Sequence, residues 1–125
     1  MKAALIAILC GLAPPVALAQ TADGTYPGTL ACDAGSGAGA LRAAGTVTVS
    51  GGRATYEFRV GSGRETGAGA LAGRRLTLSG SGRGAAGAYQ ATYAGEVTGR
   101  GGLLIGSQTG QGGTKRACQL ILGDG

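Results

Sequence analysis

Beyond residue 20 the chain alternates apolar and polar positions with period two, and no stretch carries the three-to-four-residue apolar spacing of a helix. From Arg53 to Val60, the residues Ala54, Tyr56, Phe58 and Val60 fall on one face, and Arg53, Thr55, Glu57 and Arg59 on the other. Segments 46–49, 75–80 and 89–97 behave alike. In them Val47 and Val49, then Leu76 and Leu78, then Tyr89, Ala91, Tyr93, Gly95 and Val97 oppose mostly polar neighbours. Half-apolar strands of this kind belong to an antiparallel sheet with one wet face.

The pattern also repeats. Val49-Ser50-Gly51-Gly52-Arg53-Ala54-Thr55-Tyr56 lines up with Leu71-Ala72-Gly73-Arg74-Arg75-Leu76-Thr77-Leu78, and again with Val97-Thr98-Gly99-Arg100-Gly101-Gly102-Leu103-Leu104. Each unit is an apolar strand end, a glycine-centred turn and a new strand. Tight hairpin turns need positive φ, and glycine must supply it because the chain has no Asn. Eight strands are predicted, at about 25–32, 43–50, 53–60, 65–71, 75–82, 88–97, 102–109 and 115–122. An up-and-down meander of eight strands brings the first and last together antiparallel, so a small all-β barrel is expected, with a two-sheet β-sandwich as the alternative. Inward Gly and Ala fit a narrow, curved interior, but they also fit a chain rich in Ala, Gly and Arg throughout. Asp33 to Gly45 reads as a loop leading into the second strand, and Gly61–Gly63, Gly82–Gly87 and Gly110–Gly113 as flexible points.

The first residues follow a different grammar. Met1-Lys2, an apolar run from Ala3 to Leu12, Pro14-Pro15 and Ala17-Leu18-Ala19 make a secretory signal peptide, residues 1–19, ahead of a single β domain, residues 20–125. The run is too short to span a bilayer, so no membrane span is expected after cleavage. Leu9 ahead of Cys10 is too bulky for a lipid-attachment site. The expected location is the periplasm or the outside of the cell.

Cleavage leaves Cys32 and Cys118, an even pair in an exported chain. Cys32 shares a phase with Tyr26, Gly28 and Leu30, and Cys118 with Leu120 and Leu122, so both point inward from the terminal strands. A bridge between them would stitch the sheet shut, and closing so long a loop is worth about 4 to 5 kcal/mol. A metal site or a reactive thiol is the competing reading, and two cysteines without His make a poor metal site.

Charge and missing residues narrow the chemistry. The chain has no His and no Trp, which removes His-based zinc sites and Ser/His/Asp or Cys/His catalysis. No cofactor and no metal are expected, and the chain is not expected to be an enzyme. Gly82-x-Gly84-x-x-Gly87 matches a dinucleotide fingerprint in letters only, since a strand, not a helix, is predicted to follow it. Among the acids, Glu57 and Glu96 share the outward phase. A facing pair for glycoside hydrolysis is one reading of them; solvated partners of nearby arginines is the other.

Loss of Lys2 lowers the net charge of +5 by one, and nine arginines remain. Arg53, Arg59 and Arg75 share the outward phase, while Arg74 and Arg100 sit at matching turns of the repeat. They suggest a basic strip for an anionic envelope polymer or an acidic protein; the alternative is an ordinary solubilising surface. Nucleic acid is not expected, because aromatic residues are not interleaved with the basic ones. Leu103 and Ile105 fall outward if the repeat sets the register, which would suit a contact with another chain, unless a bulge at Gly101-Gly102 turns them inward. Tyr56, Tyr89 and Tyr93 would fill the interior or line a small pocket.

The start Asp23-Gly24-Thr25-Tyr26-x-Gly28-x-Leu30-x-Cys32, the hairpin Val49 to Tyr56 and the late Cys118 together resemble small exported bacterial β-rich proteins of unknown function. The resemblance spans most of residues 20–125 and implies export and β architecture, with no active site to carry over. More loosely, size, export and a single disulfide are similar to the periplasmic barrel inhibitors of lysozyme, although no inhibitory loop motif is present. The combined expectation is a non-catalytic binding module, possible alternatives being a carboxylate-based hydrolase and a structural envelope protein.

Overall fold

The computed structural model describes residues 22–34, 40–84 and 87–123. The leader at 1–19 lies outside the described residues, as does the middle of the 33–45 segment. Eight strands form: β1 (Gly24–Cys32), β2 (Leu41–Ser50), β3 (Arg53–Val60), β4 (Gly63–Ala72), β5 (Arg75–Gly84), β6 (Gly87–Thr98), β7 (Gly101–Gly110) and β8 (Lys115–Gly123). A 3-10 turn, Gln111–Gly113, links the last two.

Each strand pairs antiparallel with the next, and β1 returns to β8 from Gly28↔Leu122 to Cys32↔Cys118, so the sheet is a closed barrel and the sandwich is excluded. Closure gives every strand a neighbour on both sides, so no whole strand edge is left to template aggregation. Among the described residues the short stretch Gly24 to Pro27 of β1 has no partner on β8, and Pro27 there has no N–H to offer a further strand. Cys32 and Cys118 occupy directly paired positions on the closing strands and are disulfide-bonded.

Alternation explains the strands individually. In β3 every second residue is buried, Ala54, Tyr56, Phe58 and Val60, and the others are exposed. The β2–β3 turn rests on Gly51 and Gly52, at φ of 60° and 83°, the left-handed pair that a two-residue hairpin with the sheet's own twist requires.

We call the end where β1 begins the entry end; it also carries the β2–β3, β4–β5 and β6–β7 turns. The opposite, far end carries the other four connections. Leu30, Val47, Phe58, Leu76, Leu104, Leu120 and Leu122 are fully buried between the two.

Two expectations need correction. The segment from Leu41 to Gly45 is the start of β2, not loop, and Ala43 within it is buried against the core. Alanine and glycine there gave no apolar signal, yet they pair residue by residue with β1 from Cys32↔Leu41 to Gly28↔Gly45. The bulge at Gly101-Gly102 is also absent. Register runs unbroken through Gly102↔Leu122, Leu103↔Ile121 and Leu104↔Leu120, so Leu104 points in while Leu103 (46% exposed) and Ile105 (61%) stay out.

Candidate functional site

The inward phase of β4 reads Gly63, Glu65, Gly67, Gly69, Leu71, which sends a carboxylate into the barrel. Glu65 is completely buried. Its Oε2 accepts from the hydroxyls of Tyr56 and Tyr93, each at 2.8 Å. Its Oε1 accepts from the Tyr89 hydroxyl at 2.7 Å and from Nε2 of Gln108 at 2.9 Å. Gln108 also donates to the Tyr93 oxygen at 3.3 Å. Arg116, directly opposite Gln108 in the β7–β8 register, donates from Nε to the Gln108 Oε1 at 2.8 Å. A chain of hydrogen bonds thus runs from the far-end mouth, through Arg116 and Gln108, to the carboxylate.

Glycine makes the room for this cluster. A Cβ on Gly67 would lie 2.5 Å from the Tyr56 ring, and one on Gly82 would lie 2.6 Å from the Tyr89 hydroxyl. With these positions bare, the rings from β3 and β6 reach across β4 and β5. Burial, reinforced by the adjacent Glu65 carboxylate, pushes the hydroxyls of Tyr56, Tyr89 and Tyr93 far above the ordinary tyrosine range. They therefore remain neutral donors. Two donors on each oxygen use the acceptor capacity that a carboxylate offers. Among the described residues no buried side-chain polar atom lacks a partner. A cavity of about 40 Å³ adjoins the cluster between Tyr89, Gln108, Thr114 and Arg116, space for about one water. Chemically this is a closed, satisfied polar plug.

The outer wall of the far end is different. Arg59 pairs directly with Arg64 across β3 and β4, and Arg83 stands next to Arg64 on β5, one step beyond the Glu65↔Gly82 pair. All three are exposed. Like charges on adjacent strands repel one another, and Glu57 offsets this in part through a 3.0 Å contact with Arg64 Nε. The neighbouring outward row reads Thr66↔Ser81↔Gln90↔Thr109↔Lys115 across β4 to β8. Where the rows meet, Arg64, Ser81, Arg83, Gln90, Thr109 and Gln111 line an open groove of about 570 Å³.

Of the arginines singled out by phase, only Arg59 belongs to this row. Arg53 and Arg75 lie outward as expected but near the entry end, and Arg59 is six positions along β3 from Arg53, about 20 Å away. Glu57 and Glu96 do not face one another. They sit on β3 and β6, which are not neighbours, and form exposed ion pairs with Arg64 at 3.0 Å and Arg74 at 3.8 Å. Gly84 ends β5 and Gly87 begins β6, so no helix follows the glycine fingerprint. Tyr56, Tyr89 and Tyr93 fill the interior. Leu103, Ile105 and Ile121 form an exposed apolar patch around β7.

Glu65, Gln108 and Arg116 are the residues that sequence reasoning passed over. The signal was present in the period-two phase. Glu65 falls in step with Leu71, and Arg116 in step with Cys118. Comparison of the chain with protein-family models, with curated proteins and with solved structures finds no match.

Proposed function

We propose that this protein is an exported, non-catalytic binding module that engages an anionic partner, an envelope polymer or an acidic protein, through the outer wall of its far end. The observation that carries the reading is the in-register row Arg59, Arg64, Arg83 beside a groove of hydroxyl and amide side chains. Guanidinium groups present planar, forked donors that suit carboxylate and phosphate, and Glu57, paired with Arg64, offsets only part of the repulsion among the three, which a shared anion would relieve further. The non-catalytic part is supported by Glu65, whose two oxygens already accept four hydrogen bonds beside a cavity too small for a substrate. The leader-like residues 1–19 and the Cys32–Cys118 bridge support export to an oxidising compartment. Outside the patch at Leu103, Ile105 and Ile121 the outer face bears mostly arginines, threonines, serines and small residues, and apart from the Glu65 cluster the interior is apolar. That is the inverse of a membrane-spanning barrel, which supports a protein standing in water.

The test is salt-gradient elution of the purified, oxidised protein from a carboxylated polymer column. Replacing Arg59, Arg64 and Arg83 together by Ser should abolish retention, whereas replacing Arg53 and Arg75 should leave most of it. Equal losses from the two sets would show net charge acting without a site.

A further inference from the structure

We infer that the far-end groove takes a saccharide chain bearing carboxylate or phosphate groups, laid across the strands of β4 to β7. This rests on the anion-binding reading above and adds the class of ligand. The two rows differ in chemistry and adjoin at β5. Arg64 and Arg83 supply charge along the groove, with Arg59 beside Arg64 on β3 and Glu57 holding Arg64 Nε in part. Ser81, Gln90 and Thr109, in direct register on β5, β6 and β7, supply neutral groups that both donate and accept. Sugar hydroxyls need that dual capacity, and acidic substituents need the arginines.

Spacing agrees with this. Neighbouring strands stand about 4.8 Å apart, so the neutral row offers a polar group at intervals close to the length of one pyranose unit, and the charged row lies about 7 Å away along the strands. Ser81 and Thr109 are short, while Arg64, Arg83 and Gln111 are long, which makes a channel open at the surface. An acidic peptide is less well served. Extended peptides gain most of their affinity by adding to a free sheet edge, and the groove has none beside it: β4 to β7 each have a neighbouring strand on both sides, and the stretch Gly24 to Pro27 of β1 that lacks a β8 partner lies at the entry end. Protein partners centre on large apolar or aromatic anchors. The groove offers only Tyr89 of that kind, and Tyr89 is 8% exposed with its hydroxyl committed to Glu65.

The experiment titrates the oxidised protein with three polymers matched in charge: polygalacturonate, a phosphate-bearing polysaccharide and polyglutamate. Methyl-esterified polygalacturonate is the uncharged control. The expected result is tighter binding of at least one charged polysaccharide than of polyglutamate, and no measurable binding of the ester. Ser81→Ala, Gln90→Ala and Thr109→Val combined should weaken the polysaccharide about tenfold and leave polyglutamate unchanged. An unchanged unfolding midpoint would show that this variant keeps its fold. The two charged polysaccharides tell carboxylate from phosphate. Equal affinity for polyglutamate, or no effect of the neutral-row variant, would overturn the saccharide inference while leaving the anion site standing. No binding of any polymer would remove both.

Discussion

The two ends of the barrel solve the same packing problem with opposite materials. At the entry end the interior is closed by Val49, Leu76, Val97 and Leu122, with Tyr26 turning its hydroxyl to the carbonyls of Ala22 and Thr98. Toward the far end the equivalent volume holds Tyr56, Tyr89, Tyr93, Glu65 and Gln108, with Arg116 at the mouth. Aliphatic layers gain from burial alone and tolerate small changes of shape. A buried carboxylate gains nothing until its last acceptor site is filled, and then it fixes three rings and an amide in one arrangement. The far end should therefore be stiffer in geometry and more sensitive to single changes, which suits the end that carries the proposed binding wall.

The sharpest way to break this contrast is Glu65→Leu. It leaves three tyrosine hydroxyls without their acceptor in the barrel interior, at about 1 to 3 kcal/mol each, and Gln108 Nε2 with only its 3.3 Å contact to Tyr93. A loss on the order of 5 kcal/mol is expected from the urea midpoint, given that the rings relax in part. Glu65→Gln retains one acceptor oxygen and should lose less than half of that. If Leu were tolerated as well as Gln, the cluster would be simple filling.

Alkaline pH probes the same contrast without mutation. The hydroxyls of Tyr56, Tyr89 and Tyr93 are raised above their unfolded value of 10.0 by burial first, then by Glu65. A raised folded value means that the native state holds its protons longer than the unfolded one does. Stability is therefore intact below about pH 10 and falls as pH rises beyond it, by up to about 4 kcal/mol per unit when three groups release together. Tyrosinate absorbance and loss of β-sheet circular dichroism should rise on one curve. Three tyrosines titrating near pH 10 in a folded protein would mean that the cluster is open to water.

Leu104→Ala asks the question of the aliphatic layer. Leu104 is fully buried, and its truncation should cost about 3 kcal/mol. Alkaline unfolding then starts from a lower stability, so its midpoint should fall by a little under about one pH unit while its steepness stays the same. A changed steepness would show the two layers to be coupled.

How far the molecule is legible in its sequence follows from these same residues. Where the inward phase carries aliphatic or aromatic side chains, as in β3, alternation marks the face and the register at once. The inward cysteines of β1 and β8 foretell both the bridge and the closing pair. In β4 the inward phase is glycine around one acid with a single apolar residue, Leu71, at its end, too thin a signal to declare the face, and Glu65 reads as one more surface carboxylate. The arginine row escapes for another reason. Arg59, Arg64 and Arg83 become neighbours only once three strands are set side by side, and phase along one strand contains no information on that. Inward glycine, ambiguous as composition, is space held for tyrosine at Gly67, Gly80 and Gly82, and for Phe58 at Gly28 and Gly45.

That last point yields the smallest and most discriminating test, a pair of Gly→Ala substitutions four positions apart on β5. Neither Gly80 nor Gly84 has a positive φ, so backbone strain plays no part in the comparison. At Gly80 a methyl group would meet the Thr66 carbonyl and the Tyr56 hydroxyl, and lie 2.9 Å from the Gly67 Cα. Two of these are backbone and cannot swing aside, so Gly80→Ala should cost about 1 to 3 kcal/mol and disturb the Tyr56–Glu65 hydrogen bond. At Gly84 the nearest atom is Cγ1 of Val60 at 3.6 Å, an ordinary contact. There the methyl restricts the unfolded chain and adds burial, so Gly84→Ala should stabilise by about 0.4 to 1 kcal/mol. Opposite signs in the unfolding midpoints would show that the far end spends its glycines on the tyrosine cluster. Equal and small effects would return them to composition alone.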